Sequence, residues 1–236
     1  MMSNTLARPR ARRPRSSLGR LLARWPATET GRSAASLLAH AGISGFELPH
    51  TAEWAWRPNP WALPVMEGPV TFRESGTRVS ADATLYHDAS AIEANLRQSP
   101  SAAAPESAAP FELDVDVRHF DGTFLSMVLE CPPAGIAGIR RRDLVGVSVG
   151  LDQDPSATIF LRYNLRHGPN TETIPRELPP ADPETGRVTV EFDLAYVEIN
   201  EKRVEAAWLD VILQSPAGTH TTLCDLVMYR RPRAEL

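Results

Sequence analysis

Residues 111–118 read Phe-Glu-Leu-Asp-Val-Asp-Val-Arg, with an apolar side chain at every odd position and a charged one at every even position. In extended backbone successive side chains point to opposite faces, so this segment has to be a strand with one buried and one wet face. The same period returns along the chain. Val145, Val147, Val149 and Leu151 alternate in 143–151; Ile159, Leu161, Tyr163 and Leu165 do so in 158–167; Val188, Val190, Phe192 and Leu194 do so in 187–194. Residues 84–87, 91–97, 123–131, 204–213 and 219–230 read as further strands. Between them stand turn formers such as Asp121-Gly122, Asp154-Pro155, Asp182-Pro183 and Ser215-Pro216-Ala217-Gly218. Short strands at this spacing, with no long helical period among them, predict an all-β fold. We expect a two-sheet antiparallel sandwich, jelly-roll-like, over residues 66–236, behind a short basic helical N-terminal extension.

The extension differs in composition. Residues 1–24 carry seven arginines and no acid, whereas the rest of the chain holds 18 basic and 29 acidic residues. Residues 1–16 read as a disordered basic tail. Residues 17–65 read as a helical and Trp/Pro-rich extension: Leu18, Leu21, Leu22 and Trp25 share a helical stripe, as do Ala34, Leu37, Leu38 and Ala41. Trp54, Trp56 and Trp61 then lie among Pro49, Pro58, Pro60 and Pro64. Three indoles carry a large apolar area, so this stretch is expected to wrap across the sandwich and insert them; an exposed aromatic platform for a protein partner is the other reading. The arginines suit contact with nucleic acid or an anionic membrane surface, with a solvated tail as the plainer account. Arg20 and Arg24 interrupt the only apolar run near the N-terminus, so no export signal is read and a cytoplasmic location is expected. Cys131 and Cys224 are too few to staple such a fold, which suits a reducing compartment.

Within roughly 111–236, the runs Asn164-Leu165-Arg166-His167-Gly168-Pro169-Asn170-Thr171, Phe192-Asp193-Leu194-Ala195-Tyr196, Ala207-Trp208-Leu209-Asp210 and Arg231-Pro232-Arg233-Ala234-Glu235-Leu236 resemble a family of uncharacterised alphaproteobacterial proteins. The resemblance implies a bacterial origin and a genuine domain. It implies no activity, ligand or catalytic residue.

Motifs for catalysis are sparse. The zinc-binding His-Glu-x-x-His helix, the Gly-x-x-x-x-Gly-Lys phosphate loop and the Gly-x-Ser-x-Gly elbow do not occur. His87-Asp88 and His119-x-Asp121 place an imidazole near a carboxylate, as a metal or acid–base site does, but both lie at strand ends where loop polarity accounts for them. We expect neither metal nor cofactor. Both cysteines read as small buried residues rather than nucleophiles.

A sheet face is the better signal. If 143–151 and 158–167 form a hairpin, Gly146, Ser148 and Gly150 lie beside Phe160, Arg162, Asn164 and Arg166, a shallow trough lined by guanidinium and amide donors. Trp208 and Asp210 have the outward parity on their own strand. An indole beside hydrogen-bonding side chains suits a sugar, whose apolar C–H face stacks while its hydroxyls bond. The expected ligand-binding residues are therefore Arg162, Asn164, Arg166, Trp208 and Asp210. The expected function is non-catalytic binding of a glycan or similar polar small molecule. A hydrolase on the same sandwich and a protein-interaction module are the alternatives.

Overall fold

A computed structural model describes residues 48–101, 109–153 and 157–233. The basic tail over 1–16 and both helical patterns, 17–25 and 33–41, lie outside the described residues. So do residues 102–108 of the low-complexity stretch.

In chain order the elements are β1 (Trp54–Trp56), α1 (Asn59–Ala62), β2 (Val70–Thr71), β3 (Thr77–Arg78), β4 (Ala83–His87), β5 (Ile92–Pro100), β6 (Phe111–Phe120) and β7 (Phe124–Glu130). Then follow α2 (Pro133–Ile136), β8 (Asp143–Gln153), β9 (Thr158–His167), β10 (Asn170–Glu177), β11 (Arg187–Asp193), β12 (Val204–Gln214) and β13 (Thr219–Pro232), with short 3-10 turns at Leu194–Tyr196 and Glu201–Arg203. Among the described residues no helix is long and apolar enough to cross a membrane.

The strands form two antiparallel sheets, as the alternating pattern requires. The back sheet runs β11-β8-β13-β6-β5-β2, with β1 also on β13; the front sheet runs β10-β9-β12-β7-β4-β3. The chain crosses repeatedly from sheet to sheet, in the manner of a jelly roll. Between the sheets lies the core. Leu113, Val115 and Val117 of β6, Val147 and Val149 of β8, Leu161 and Leu165 of β9, and Leu209 and Val211 of β12 are all buried there. Burying a side chain of this size stabilises by about 1.5–3 kcal/mol, which is why the alternation sets the strand faces so firmly.

Three places depart from strict alternation. The register of β13 against β8 shifts between Leu223 and Asp225, a β-bulge at Cys224. Thr221 and Leu223 point inward before it, and Leu226 and Met228 after it. The other two bulges fall at Glu205 in β12 and at Arg118 in β6.

The tryptophan-rich stretch does wrap onto the body. β1 pairs with the second half of β13, Trp54 opposite Arg230 and Trp56 opposite Met228. Pro60, within the first turn of α1, suits a short helix here. Trp61 is fully buried, and its Nε1–H donates to the Leu223 carbonyl at 2.9 Å. Residues 54–61 thus belong to the sandwich, upstream of the boundary expected at residue 66.

The expected hairpin between 143–151 and 158–167 does not form. β8 lies in the back sheet between β11 and β13, and β9 in the front sheet between β10 and β12. Both strands present apolar residues inward, so alternation alone fits one sheet or two facing ones. Side-chain fit separates them. Gly146 stands opposite Tyr229, and a Cβ there would lie 2.0 Å from the Tyr229 ring. The glycine makes room for the tyrosine. β9 instead folds back on β10 through Gly168, whose φ of 59° suits a residue without a Cβ.

Candidate functional site

Arg162, Asn164 and Arg166 of β9 and Trp208 and Asp210 of β12 all occupy the outer face of the front sheet. The register sets Asn164 opposite Trp208 and Arg162 opposite Asp210. Two of them, Arg162 and Asn164, bond the carboxylate of a third, Asp210. Asp210 is 1% exposed, and its Oδ2 accepts from Arg162 Nε at 2.6 Å and from Asn164 Nδ2 at 2.9 Å. Asn164 Nδ2 also donates to the Arg162 carbonyl at 3.0 Å, while Thr173 Oγ1 of β10 donates to Asn164 Oδ1 at 3.2 Å. A buried carboxylate is costly unless its charge is met, and here Arg162 and Asn164 of the neighbouring strand meet it at Oδ2. Trp208 is half-buried beside this network, directly across from Asn164.

Arg166 stands apart. It faces Glu205 at 3.6 Å, both side chains being about half exposed, and takes no part in the Asp210 network. Glu205 is the extra residue of the β12 bulge, which turns it toward Arg166.

The other half of the face was not read from the sequence. β7 lies beyond β12, and β4 beyond β7, so Phe124, Ser126 and Val128 continue the same outer surface, with Tyr86 opposite Ser126. Tyr86 is 43% exposed and Phe124 36%, unusual for large rings. Ser126 Oγ is buried between them and the Asp210 row, with no hydrogen-bond partner among the described groups. One signal was available: Tyr86 alternates with Ala83, Leu85 and His87, all buried, so its outward parity could have been read from 83–87. Phe124 could not, because 123–131 is apolar on both parities.

The trough of small residues lies elsewhere. Gly146, Ser148 and Gly150 belong to the outer face of the back sheet, on the far side of the core. There Gly146 lies beneath Tyr229, and Ser148 Oγ accepts from Arg187 Nε at 3.2 Å.

The histidine–aspartate pairs serve structure. Asp88 accepts from Thr123 N, Thr123 Oγ1 and Phe124 N at 2.7, 2.6 and 3.1 Å. Asp121 accepts from Ser90 N, Ser90 Oγ and Ala91 N at 2.8, 2.6 and 2.8 Å. The Thr123 hydroxyl first, and then the Phe124 N–H, hold the Asp88 carboxyl below the usual carboxylate range; the Ser90 hydroxyl and Ala91 N–H do the same for Asp121. The Asp88 lock also fixes the backbone that carries Phe124 to the face. His87 is wedged between Phe72 and Phe120. No group of three potential metal ligands occurs among the described residues. Burial pushes the Cys131 thiol up to about 12 and also raises Cys224, which disfavours the nucleophilic thiolate at either.

Fold and face together define a two-sheet β-sandwich with one broad outer surface that bears both aromatic rings and a buried polar row. The chain belongs to the Family of unknown function (DUF6478), whose profile matches residues 3–236. No curated protein matches it. Solved structures similar to it include the enzymatically active domain of bacteriophage CBA120 tailspike protein 4, at 9% identity and a TM-score of 0.41. That match covers 62% of this chain, which spans only 19% of the tailspike chain. A family 11 carbohydrate-binding module from Clostridium thermocellum, in complex with a mixed-linked tetrasaccharide, is 9% identical with a TM-score of 0.39, covering 72% of this chain and 98% of that one. The CBM22-1 xylan-binding domain from Paenibacillus barcinonensis Xyn10C is 11% identical with a TM-score of 0.38, covering 70% and 94%.

Proposed function

We propose that the outer face of the front sheet binds carbohydrate without transforming it. The observation that carries this reading is the placement of exposed Tyr86 and Phe124 and half-buried Trp208 on the same outer sheet face as buried Asp210, whose Oδ2 accepts from Arg162 and Asn164. A sugar ring has apolar C–H faces and polar edges. Aromatic side chains cover the first, and Arg162, 45% exposed above Asp210, offers further N–H donors to the second. Asp210 already accepts two hydrogen bonds, so its role in this reading is to hold Arg162 and Asn164 in position. The protein-partner alternative loses its main support, because Trp61 is fully buried and Trp54 and Trp56 pack against the core.

The test is a glycan array probed with the full chain at two salt concentrations, followed by titration of any hit. Salt-resistant binding to one glycan class is expected. Trp208→Ala and Tyr86→Ala are each expected to weaken it about tenfold, in keeping with ~0.5–1.5 kcal/mol per aromatic contact plus its buried area. These variants are preferable to Arg162→Ala, which would leave a buried charge short of a partner. Silence from a folded chain, or affinity unchanged in both aromatic variants, overturns the reading.

A further inference from the structure

At the end of the sandwich where β9 turns into β10, a cleft of about 460 Å³ opens, lined by Arg141, His167, Asn170, Glu198, Asn200 and Arg203 among others. None of these residues belongs to the Asp210 network. Arg203 is the last residue of the Glu201–Arg203 turn, and its guanidinium lies against Gly168. A Cβ at Gly168 would sit 2.9 Å from Arg203 Cζ and 3.0 Å from Nη2, so the glycine provides the turn and also admits the guanidinium. The Gly168 N–H donates to the Arg203 carbonyl at 3.1 Å, tying the two loops together. Among the described residues, the Arg203 guanidinium has neither a carboxylate nor a hydrogen-bond acceptor as partner.

Arg141 is anchored from behind. Its backbone N–H donates to Glu201 Oε1 at 2.7 Å, and its Nη2 donates to the Ala195 carbonyl at 3.1 Å. Glu201 is thereby engaged with backbone, and Arg141 too has no side-chain carboxylate partner among the described residues. His167 forms the inner wall. Its Nδ1 accepts the Asn200 N–H at 3.3 Å, while its buried Nε2 has no hydrogen-bond partner, the Glu172 carboxylate being 3.6 Å away. Against two guanidiniums without a carboxylate partner among the described residues, the cleft lining presents one carboxylate, Glu198, which is exposed.

We propose that this cleft holds an oxyanion, with Arg141 and Arg203 as its donors. A guanidinium fork matches the paired oxygens of a carboxylate, phosphate or sulfate, and a concave wall strengthens the attraction by excluding water. The anion is either a free inorganic ion or the acid group of an acidic sugar. The inference does not rest on carbohydrate binding by the sheet face.

Isothermal titration calorimetry of the full chain at low ionic strength, with sodium phosphate, sodium sulfate and a galacturonate oligosaccharide in turn, tests it. Saturable binding of at least one is expected. Arg203→Gln and Arg141→Gln should each weaken it about tenfold, and Arg203→Lys, which keeps the charge but loses the fork, by less. Phosphate or sulfate alone would identify an inorganic ion; the galacturonate alone would identify a sugar acid. No saturable binding of any of the three, or binding unaltered in both glutamine variants, overturns the proposal.

Discussion

His87 and Asp210 are both buried polar residues, and they are treated oppositely. Asp210 is satisfied from the next strand, whereas neither ring nitrogen of His87 has a hydrogen-bond partner among the described groups. His87 contributes its ring alone, at 6.4 Å from Phe72 and 6.1 Å from Phe120 between centroids. An unsatisfied buried polar group costs about 1–3 kcal/mol, so His87→Leu should leave the protein as stable or raise its stability by ~1 kcal/mol. Urea denaturation of the two chains measures this, and a clear loss of stability would show that the imidazole nitrogens are bonded. At this scale the sequence was a good guide. The outward parity of Arg162, Asn164, Arg166, Trp208 and Asp210 was legible, and so was the buried side of each strand, because side-chain direction follows from local backbone geometry.

Elements are joined by reciprocal locks. Asp88 after β4 grips the start of β7, and Asp121 after β6 grips the residues before β5. Gly122 sits inside this knot, where a Cβ would approach Asp88 Oδ1 to 2.3 Å. Both carboxyls are held below the usual carboxylate range by the hydrogen bonds they accept, so the folded state favours their charged forms. Their contribution to stability is therefore complete above pH 3.8 and is lost as pH falls through the lower folded values. Thermal melts between neutral pH and strong acid should show Asp88→Asn less stable than the parent chain at neutral pH, with the difference shrinking in acid. A constant difference across the range would separate the lock from the carboxylate's charge. The pairing of these elements was only partly legible. Turn residues marked where strands end, but the hairpin expected between β8 and β9 is a crossing between sheets. The bulge at Cys224 is also invisible to a period-2 reading, since an inserted residue only exchanges one valid parity for the other.

At the scale of the whole molecule, Asp225 ties together stretches of the back sheet far apart in sequence. Its carboxylate, 2% exposed, accepts from Arg57 Nε at 2.8 Å and Nη2 at 3.1 Å, and from Arg187 Nη1 at 3.0 Å. The tryptophan-rich stretch, β13 and β11 are thereby held at one point. Asp225→Ala would leave Arg57, itself buried, without this counter-charge, and a loss of about 3–5 kcal/mol is expected from chemical denaturation. A loss under ~1 kcal/mol would show that docking of residues 54–61 does not depend on the Asp225 ion pair. What the chain could declare in advance was the number of wet and dry faces, the sandwich built from them, and five side chains of one outer surface. Those follow from a local rule, the alternation of side chains along an extended backbone. The sheet each strand joins, the union of Tyr86 and Phe124 with Trp208, and the cleft between Arg141 and Arg203 depend on contacts between residues far apart in sequence. Their outcome turns on side-chain fit, such as Tyr229 over Gly146, and no single strand carries both halves of that fit.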